Sequence, residues 1–341
     1  MAQSAYEKEQ IVHMVKRAVH HASAGTTDST DEIYRLPVES YSPRSWDEEM
    51  NAIFRRLPLM LGLSTEMRVA GDYKAMKVLN VPVLMVRGED MTMRAFINAC
   101  RHRGRAVTQT HEESGHVRSF VCPYHQWAYK LNGDLAGLPF KNGVKDGDSV
   151  NGGMPADFDV KDHGLTKLRV AVLHGLVFAT FSDAAESLED YLGPDILPWI
   201  DRIFKGRDGP RKLTLLGYNR QRIPGNWKLM MENIKDPYHP GLLHTWFVTF
   251  GLWRADQKSR MVMDSEGRHA VMISRRNEGG ENAAVTKGVT SFKANMALHD
   301  DRLLDVVSEP WWTIPDPARP GESITPTVTM ITLFPSLIIQ Q

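Results

Sequence analysis

Cysteine is close to absent from this chain, with two in 341 residues. Two cysteines cannot build the disulfide framework of a small secreted domain. No uninterrupted apolar run approaches the length that crosses a bilayer, and the opening "MAQSAYEKEQIVHMVKRAVHHASAG" lacks the apolar core of a signal peptide. A cytoplasmic protein without a membrane partner is therefore expected. Net charge is absent as well: 41 Lys and Arg balance 41 Asp and Glu, which argues against a nucleic-acid groove or an anionic lipid surface. Internal repeats, low-complexity tracts and a Gly-rich dinucleotide fingerprint are all missing, so any nicotinamide chemistry belongs to another chain. What remains is 42% hydrophobic and 24% charged, ordinary for a globular protein. The length suffices for a large core in two domains.

The two cysteines that do occur are placed alike. Cys100 is followed by His102 in "NACRHRGR", and Cys122 by His125 in "VCPYHQW". Gly104 and Pro123 mark both places as loops between strands. Two loops that each offer one thiolate and one imidazole can hold two metals, one between the cysteines and one between the histidines. A tetrahedral Cys2His2 zinc site and four unconnected residues are the alternatives, although zinc sites more often pair Cys with Cys and His with His. His111 and His116 lie between the pairs without a cysteine partner and read as solvated loop residues.

Around these loops the texture is β-rich. "VPVLMVRG", "RAFIN", "VRSFV" and "WAYKL" are short strands separated by turn residues, and "LTKLRVAVLHGLVFATFS" reads as a hairpin turning at His174-Gly175. "DGDSVNGGMPADFD" reads as a surface loop. Helices are expected over residues 5 to 21, in "SWDEEMNAIFRR" with Ser45 as cap and Met50, Ile53 and Phe54 on one side, in "SLEDYLGPDILPWIDRIF", and over 226 to 236. Further strands are expected near "KLTLLGYNRQRI", "HAVMISRR" and "TVTMITLFPSLII". The domain boundary is placed between 180 and 215.

A second group of metal-capable side chains follows the helix at 226 to 236, in "NWKLMMENIKDPYHPGLLHTWF". Asp236 and His239 are three apart and share a helix face if the helix continues. His244 is five beyond His239, and five residues of regular helix rotate by about 140°, away from a common ligand. Pro237 and Pro240 break regular helix here, so a broken turn can bring both imidazoles to one point. Without such a break the two histidines merely cap a helix end and pack.

The first block resembles the Rieske motif Cys-x-His…Cys-x-x-His, with Arg103-Gly104 after the first pair and Tyr124 and Trp127 around the second. "YKLNGDL" is similar to the Gly-x-Leu hairpin that follows the motif in the oxygenase branch. The 19 residues between His102 and Cys122 slightly exceed the usual spacing, the excess falling in the polar tip "THEESGH". The second block resembles the mononuclear iron site of Rieske non-haem iron aromatic-ring-hydroxylating oxygenases, in their large (alpha) subunit. This resemblance covers about residues 32 to 341.

The resemblance implies an α+β chain: an N-terminal extension over 1–31, a Rieske β-domain over 32–200, and a helix-grip catalytic domain with an antiparallel sheet, incomplete, over 201–341. It implies a [2Fe–2S] cluster with Cys100 and Cys122 on one iron and His102 and His125 on the other. It assigns His239 and His244 to a mononuclear non-haem Fe(II), Asp236 to a bridge toward the Rieske histidine of a neighbouring subunit, and Asn233, Tyr238 and Trp127 to supporting positions. The implied activity is that of a terminal oxygenase. Electrons from NAD(P)H would arrive through a separate flavin reductase, with or without a ferredoxin, and O2 would be placed on an aromatic substrate. The wording "ENIKDPYH…LLHTWF" is most similar to members acting on aromatic carboxylates such as terephthalate or anthranilate. A homotrimer is expected, with or without a β-subunit. A Rieske-type electron carrier and an inactive truncated oxygenase are the rival readings.

The resemblance also calls for a carboxylate ligand well over a hundred residues after the second histidine, and only 97 residues follow His244. Asp300, Asp301 and Asp305 are the acidic cluster in range, in a segment that reads as surface. "MITLFPSLIIQQ" is similar to a central strand of the catalytic sheet, so a partial sequence is the expectation.

Overall fold

A computed structural model describes residues 35–108, 113–206, 209–210, 214–236, 239–244, 258–275, 314–315, 323–324 and 328–340, with six isolated positions before residue 35. The helix expected over 5–21 and the cluster Asp300, Asp301 and Asp305 lie outside the described residues. The chain separates into two compact units, one comprising 46–188 and 212–220, the other 1–45, 189–211 and 221–341.

The first unit is built on a seven-stranded antiparallel sheet. Its strands are β1 (Leu59–Leu63), β2 (Asp72–Val78), β3 (Val81–Arg87), β4 (Met93–Ile97), β5 (Ser114–His116), β11 (Lys167–Leu173) and β12 (Leu176–Thr180), in the order β1-β12-β11-β4-β3-β2-β5. The interior strands β3 and β12 are apolar and buried over four or five successive residues, because both of their faces are covered. The β11–β12 turn is His174-Gly175, with φ of 49° and 89°; the two left-handed residues match the twist of a two-residue hairpin.

A second, three-stranded sheet carries β6 (Phe120–Val121), β7 (Ala128–Tyr129) and β8 (Leu135–Gly137). The strands expected in "VRSFV" and "WAYKL" are thus only two residues long, since the loop between them claims the flanking residues. Tyr73, Leu84, Val86, Phe96, Phe120, Trp127 and Tyr129 pack in one buried cluster that also includes Cys100 and Cys122. The loop expected at "DGDSVNGGMPADFD" begins inside a small exposed hairpin, β9 (Val144–Asp146) and β10 (Ser149–Asn151), turning through Gly147 at φ 60°. Ahead of β1, helix α1 (Trp46–Glu49) runs into a π-helical turn over Met50–Phe54, where Met50 and Phe54 are buried.

The second unit takes up helix α2 (Leu188–Phe204), kinked where Gly193 adopts φ 68° ahead of Pro194. A short ribbon follows, β13 (Lys205–Gly206) with β14 (Gly209–Pro210). No strand forms over residues 214–224, contrary to the propensity of "KLTLLGYNRQRI". Helix α3 (Trp227–Lys235) and the single turn α4 (Pro240–Leu243) come next. A four-stranded antiparallel sheet orders β15 (Lys258–Met263), β16 (Ala270–Arg275), β19 (Val328–Leu333) and β20 (Leu337–Gln340). Between them β17 (Ile314–Pro315) pairs with β18 (Ser323–Ile324). "TVTMITLFPSLII" is therefore a hairpin, with Phe334-Pro335-Ser336 turning between two strands, rather than one central strand.

Buried His269 knits this unit. Its Nε2 donates to the Tyr191 carbonyl at 2.9 Å, and its Nδ1 accepts from the Phe334 amide at 3.1 Å. The Tyr191 hydroxyl donates to the Phe334 carbonyl at 2.6 Å. Among the described residues no helix is long and apolar enough to cross a membrane.

Candidate metal centres

The two cysteine loops share one hydrogen-bond plan. In the first, the Cys100 amide donates to the Arg105 carbonyl and the Gly104 amide to the Cys100 carbonyl, both at 2.8 Å. In the second, the Cys122 amide donates to the Trp127 carbonyl and the Gln126 amide to the Cys122 carbonyl, both at 2.9 Å. Each loop thus closes from the cysteine to the fifth residue beyond it and turns at the fourth. Gly104 and Gln126, at those fourth positions, have φ of 71° and 58°. The first loop is braced at its base by buried Asn98, whose amide nitrogen donates to Thr108 Oγ1 at 2.8 Å and whose oxygen accepts from the Val107 amide at 2.9 Å.

Both thiols are buried and neither forms a disulfide. The His102 and His125 rings face each other with centroids 4.7 Å apart. Trp127 stacks on His102 at 5.1 Å and 8° between planes, and its other edges meet Phe158 and His163. His125 Nδ1 is buried and has no hydrogen-bond partner, a costly state for an imidazole nitrogen unless a metal takes its lone pair. Burial pushes the Cys100 thiol up, and adjacent Cys122 adds to that, against the pull of the Tyr129 hydroxyl. Two neighbouring buried thiols ionise when a cation compensates them. Desolvation, then the nearby His125 and Arg103, pushes His102 below its ordinary value and favours the neutral, ligating form.

The donor set fits a [2Fe–2S] cluster with two protein ligands per iron. No three His, Cys, Asp or Glu side chains converge on one metal position among the described residues, as a Cys2His2 zinc site would demand. Tyr129 was not evident from sequence. Its hydroxyl lies 3.1 Å from Cys100 Sγ and accepts from the Arg101 amide at 3.0 Å. The available signal was a tyrosine in a core strand, whose buried hydroxyl needs a partner.

In the second unit α3 ends at Lys235, and Asp236 leaves it with φ −94° and ψ 106°. Asp236 and His239 are thus not on one regular helix, yet they touch. His239 Nδ1 lies 2.9 Å from the Asp236 carbonyl and 3.3 Å from its carboxylate. Donation through Nδ1–H leaves the Nε2 lone pair free. Pro240 then starts the single turn α4, which His244 closes. The result is a separation of 3.2 Å between His239 Nε2 and His244 Nε2. Two nitrogens at about 2.1 Å from one ion and at right angles to each other sit about 3 Å apart. The imidazole pair suits one edge of a metal's coordination shell. Asn233 is exposed on α3 and its carbonyl accepts from the Asp236 amide at 3.2 Å, while Tyr238 lies outside the described residues.

Residues 58–147 match the family described as the Rieske [2Fe-2S] domain. The chain is 54% identical over 281 residues to the large oxygenase component of salicylate 5-hydroxylase from Ralstonia sp., an alignment covering 82% of this chain and 62% of that protein. It is 39% identical over 315 residues to the anthranilate 1,2-dioxygenase large subunit of Burkholderia cepacia, covering 91% of this chain and 69% of the relative. The chain belongs to the large subunits of the Rieske non-haem iron aromatic-ring-hydroxylating oxygenases. As in that family, its architecture is α+β with antiparallel sheets and a Rieske [2Fe–2S] domain. Its fold is shared with naphthalene 1,2-dioxygenase from Rhodococcus sp. bound to indole, at a TM-score of 0.66 and 24% identity, covering 96% of this chain and 67% of that one. This Rieske oxygenase chain spans about two thirds of the length of the relatives it matches.

Proposed function

We propose that the protein is the terminal oxygenase component of a multicomponent system that hydroxylates an aromatic carboxylate. The observation carrying this reading is the His239–His244 nitrogen pair at 3.2 Å, in a chain that also has the cysteine–histidine loops. A pure electron carrier has no use for such a pair. The substrate class rests on the relatives: salicylate and anthranilate, named in two of them, are both aromatic carboxylates.

Cys100 and Cys122 would hold one iron of the cluster, His102 and His125 the other, and His239 and His244 a mononuclear iron. The carboxylate that completes the mononuclear site is not among the described residues. When bound, the cluster supplies single electrons and the mononuclear iron supplies dioxygen activation.

The chain's own residues do the positioning. Trp127 fixes the plane of His102 by stacking, and the shared loop plan fixes both cysteines by backbone hydrogen bonds. The Asp236 carbonyl sets the His239 tautomer. The Asp236 carboxylate, beside the same ring, is assigned the bridge to the Rieske histidine of a neighbouring subunit, with Asn233 and Tyr238 supporting it. This reading includes a homotrimer in the cytoplasm and a separate flavin reductase as electron source.

The test uses the natural full-length protein, with iron and sulfide analysis, EPR after dithionite reduction, and turnover with a surrogate reductase. Salicylate, anthranilate, benzoate and terephthalate are compared with naphthalene and biphenyl. Cluster iron plus one further iron, with hydroxylation confined to the carboxylates, is expected. Cluster iron alone, with no product from any substrate, would sink the reading.

A further inference from the structure

Helix α3 leads directly to the imidazole pair and is only partly packed, with Trp227 against Phe334 at 5.8 Å between ring centres. It is nine residues long and none of them is buried. A helix this short is marginal by itself, and burial of an apolar face normally supplies its stability. Leu229 and Met230 are instead about half exposed. Specific ties therefore add to the placement of His239 and His244, and two polar ties to α3 among the described residues come from a segment far away in sequence.

That segment is the 3-10 turn Val38–Tyr41. Asn226, the N-cap of α3, uses both ends of its side chain. Its oxygen accepts from the Lys228 amide at 3.0 Å, and its nitrogen donates to the Tyr41 carbonyl at 3.0 Å. The Tyr41 hydroxyl reaches along the helix and donates to Glu232 Oε1 at 2.5 Å. Asn226 and Glu232 are six residues apart, about 9 Å along a helix axis. One residue thus grips α3 at two heights, through its backbone carbonyl at Asn226 and its hydroxyl at Glu232. Lys228 Nζ lies 5.9 Å from the centre of the same ring.

A single tie would still let the helix pivot. Two ties from one residue fix both its rotation and its axial slide, and the helix C-terminus delivers Asp236 and then His239.

We propose that Tyr41 is a positioning residue for the imidazole pair, acting through Asn226 and Glu232. The proposal rests on the reading of His239 and His244 as iron ligands. The experiment measures Fe(II) binding to the natural full-length protein after chelation of its mononuclear iron, with the cluster EPR signal and thermal melting recorded on each sample. Tyr41→Phe keeps the ring and the carbonyl tie and deletes only the hydroxyl. It is expected to weaken Fe(II) binding by roughly tenfold, the scale of one hydrogen bond to a charged group, with the cluster signal unchanged. Glu232→Gln keeps an acceptor oxygen and should bind Fe(II) within about threefold of the parent, while Glu232→Leu should match Tyr41→Phe. In turnover, Tyr41→Phe should lower kcat with KM little changed. Parent-like Fe(II) binding by Tyr41→Phe would overturn the positioning role, as would loss of the cluster signal in step with Fe(II). Failure of the parent chain to bind Fe(II) would overturn the ligand reading and Tyr41's role together.

Discussion

Gly104 and Gln126 stand at the same place in two different loops, four residues after Cys100 and Cys122, and both have left-handed φ, 71° and 58°. A Cβ on Gly104 would meet nothing within 4 Å, so steric contact is not the reason for glycine there. The backbone angle is. Gly104→Ala should cost about 1 kcal/mol, the left-handed penalty less glycine's extra chain entropy. Gln126 already bears that strain, so Gln126→Gly should stay within about 0.5 kcal/mol of the parent for the same opposing reasons. Thermal melting of cluster-loaded protein checks both. A larger loss for Gln126→Gly than for Gly104→Ala would mean that the side chains, not the angles, decide.

Tyr129 and Cys100 give a prediction about potential. The Tyr129 hydroxyl is 3.1 Å from Cys100 Sγ, and toward a thiolate it must donate. That hydrogen bond stabilises negative charge, which grows on reduction. Tyr129→Phe should lower the cluster potential by about 60 mV, the one-electron equivalent of about 1.4 kcal/mol. EPR-monitored redox titration would show it, and an unchanged or higher potential would refute the donor role. Cys100→Ser or Cys122→Ser should go further and abolish the visible chromophore, because in the proposed ligation each would remove half of the protein ligation of one iron.

The cluster loops were legible in the sequence because cysteine is so rare in it that two Cys–His pairs could not hide. The hairpin at His174-Gly175 was legible for a local reason, a turn dipeptide between two apolar runs. What escaped is mostly long-range. Tyr129 meets Cys100 across 29 residues, and Tyr41 meets Glu232 across 191; no periodicity encodes such pairs. The strand expected at 212–223 rested on propensity, which tertiary context overrides. There Tyr218 instead engages Lys74 and Glu66 through its side chain, and Arg220 pairs with Glu113 at 3.2 Å. "TVTMITLFPSLII" looked like one strand because its apolar residues run on through the turn. Pro335, which cannot donate to a ladder, was the signal against it.

His269 predicts a pH dependence of stability. Burial pushes its pKa below the ordinary histidine value, opposed by its bond to the Tyr191 carbonyl and by Asp264. The folded unit therefore favours the neutral ring, and the unfolded chain binds the proton more readily. The stability that neutral His269 contributes is fully present above the unfolded value, about pH 6.5. It is lost as pH falls below that toward the folded value. Chemical denaturation at pH 7.5 and 5.5 should show this part of the chain weakening on acidification, and His269→Gln should shrink the difference. An equal acid loss in the variant would place the effect in other groups.

Asp236 separates holding the ring from linking two sites. Its backbone carbonyl, 2.9 Å from His239 Nδ1, is enough to set the tautomer, and no substitution of the side chain removes it. Its carboxylate, 3.3 Å from the same nitrogen, adds only charge. Asp236→Asn should therefore leave mononuclear iron content near that of the parent and leave the cluster EPR signal intact. If the carboxylate links the imidazole to a second metal centre, steady-state hydroxylation should still fall at least about a hundredfold, because a charge-assisted path is cut while both ends remain. His239→Ala makes the contrast: it should lose the mononuclear iron and keep the cluster signal. Iron content, EPR and turnover measured on the same preparations distinguish the outcomes. Near-parent turnover by Asp236→Asn would assign the link elsewhere, and loss of iron with it would make the carboxylate a ring-holding group after all.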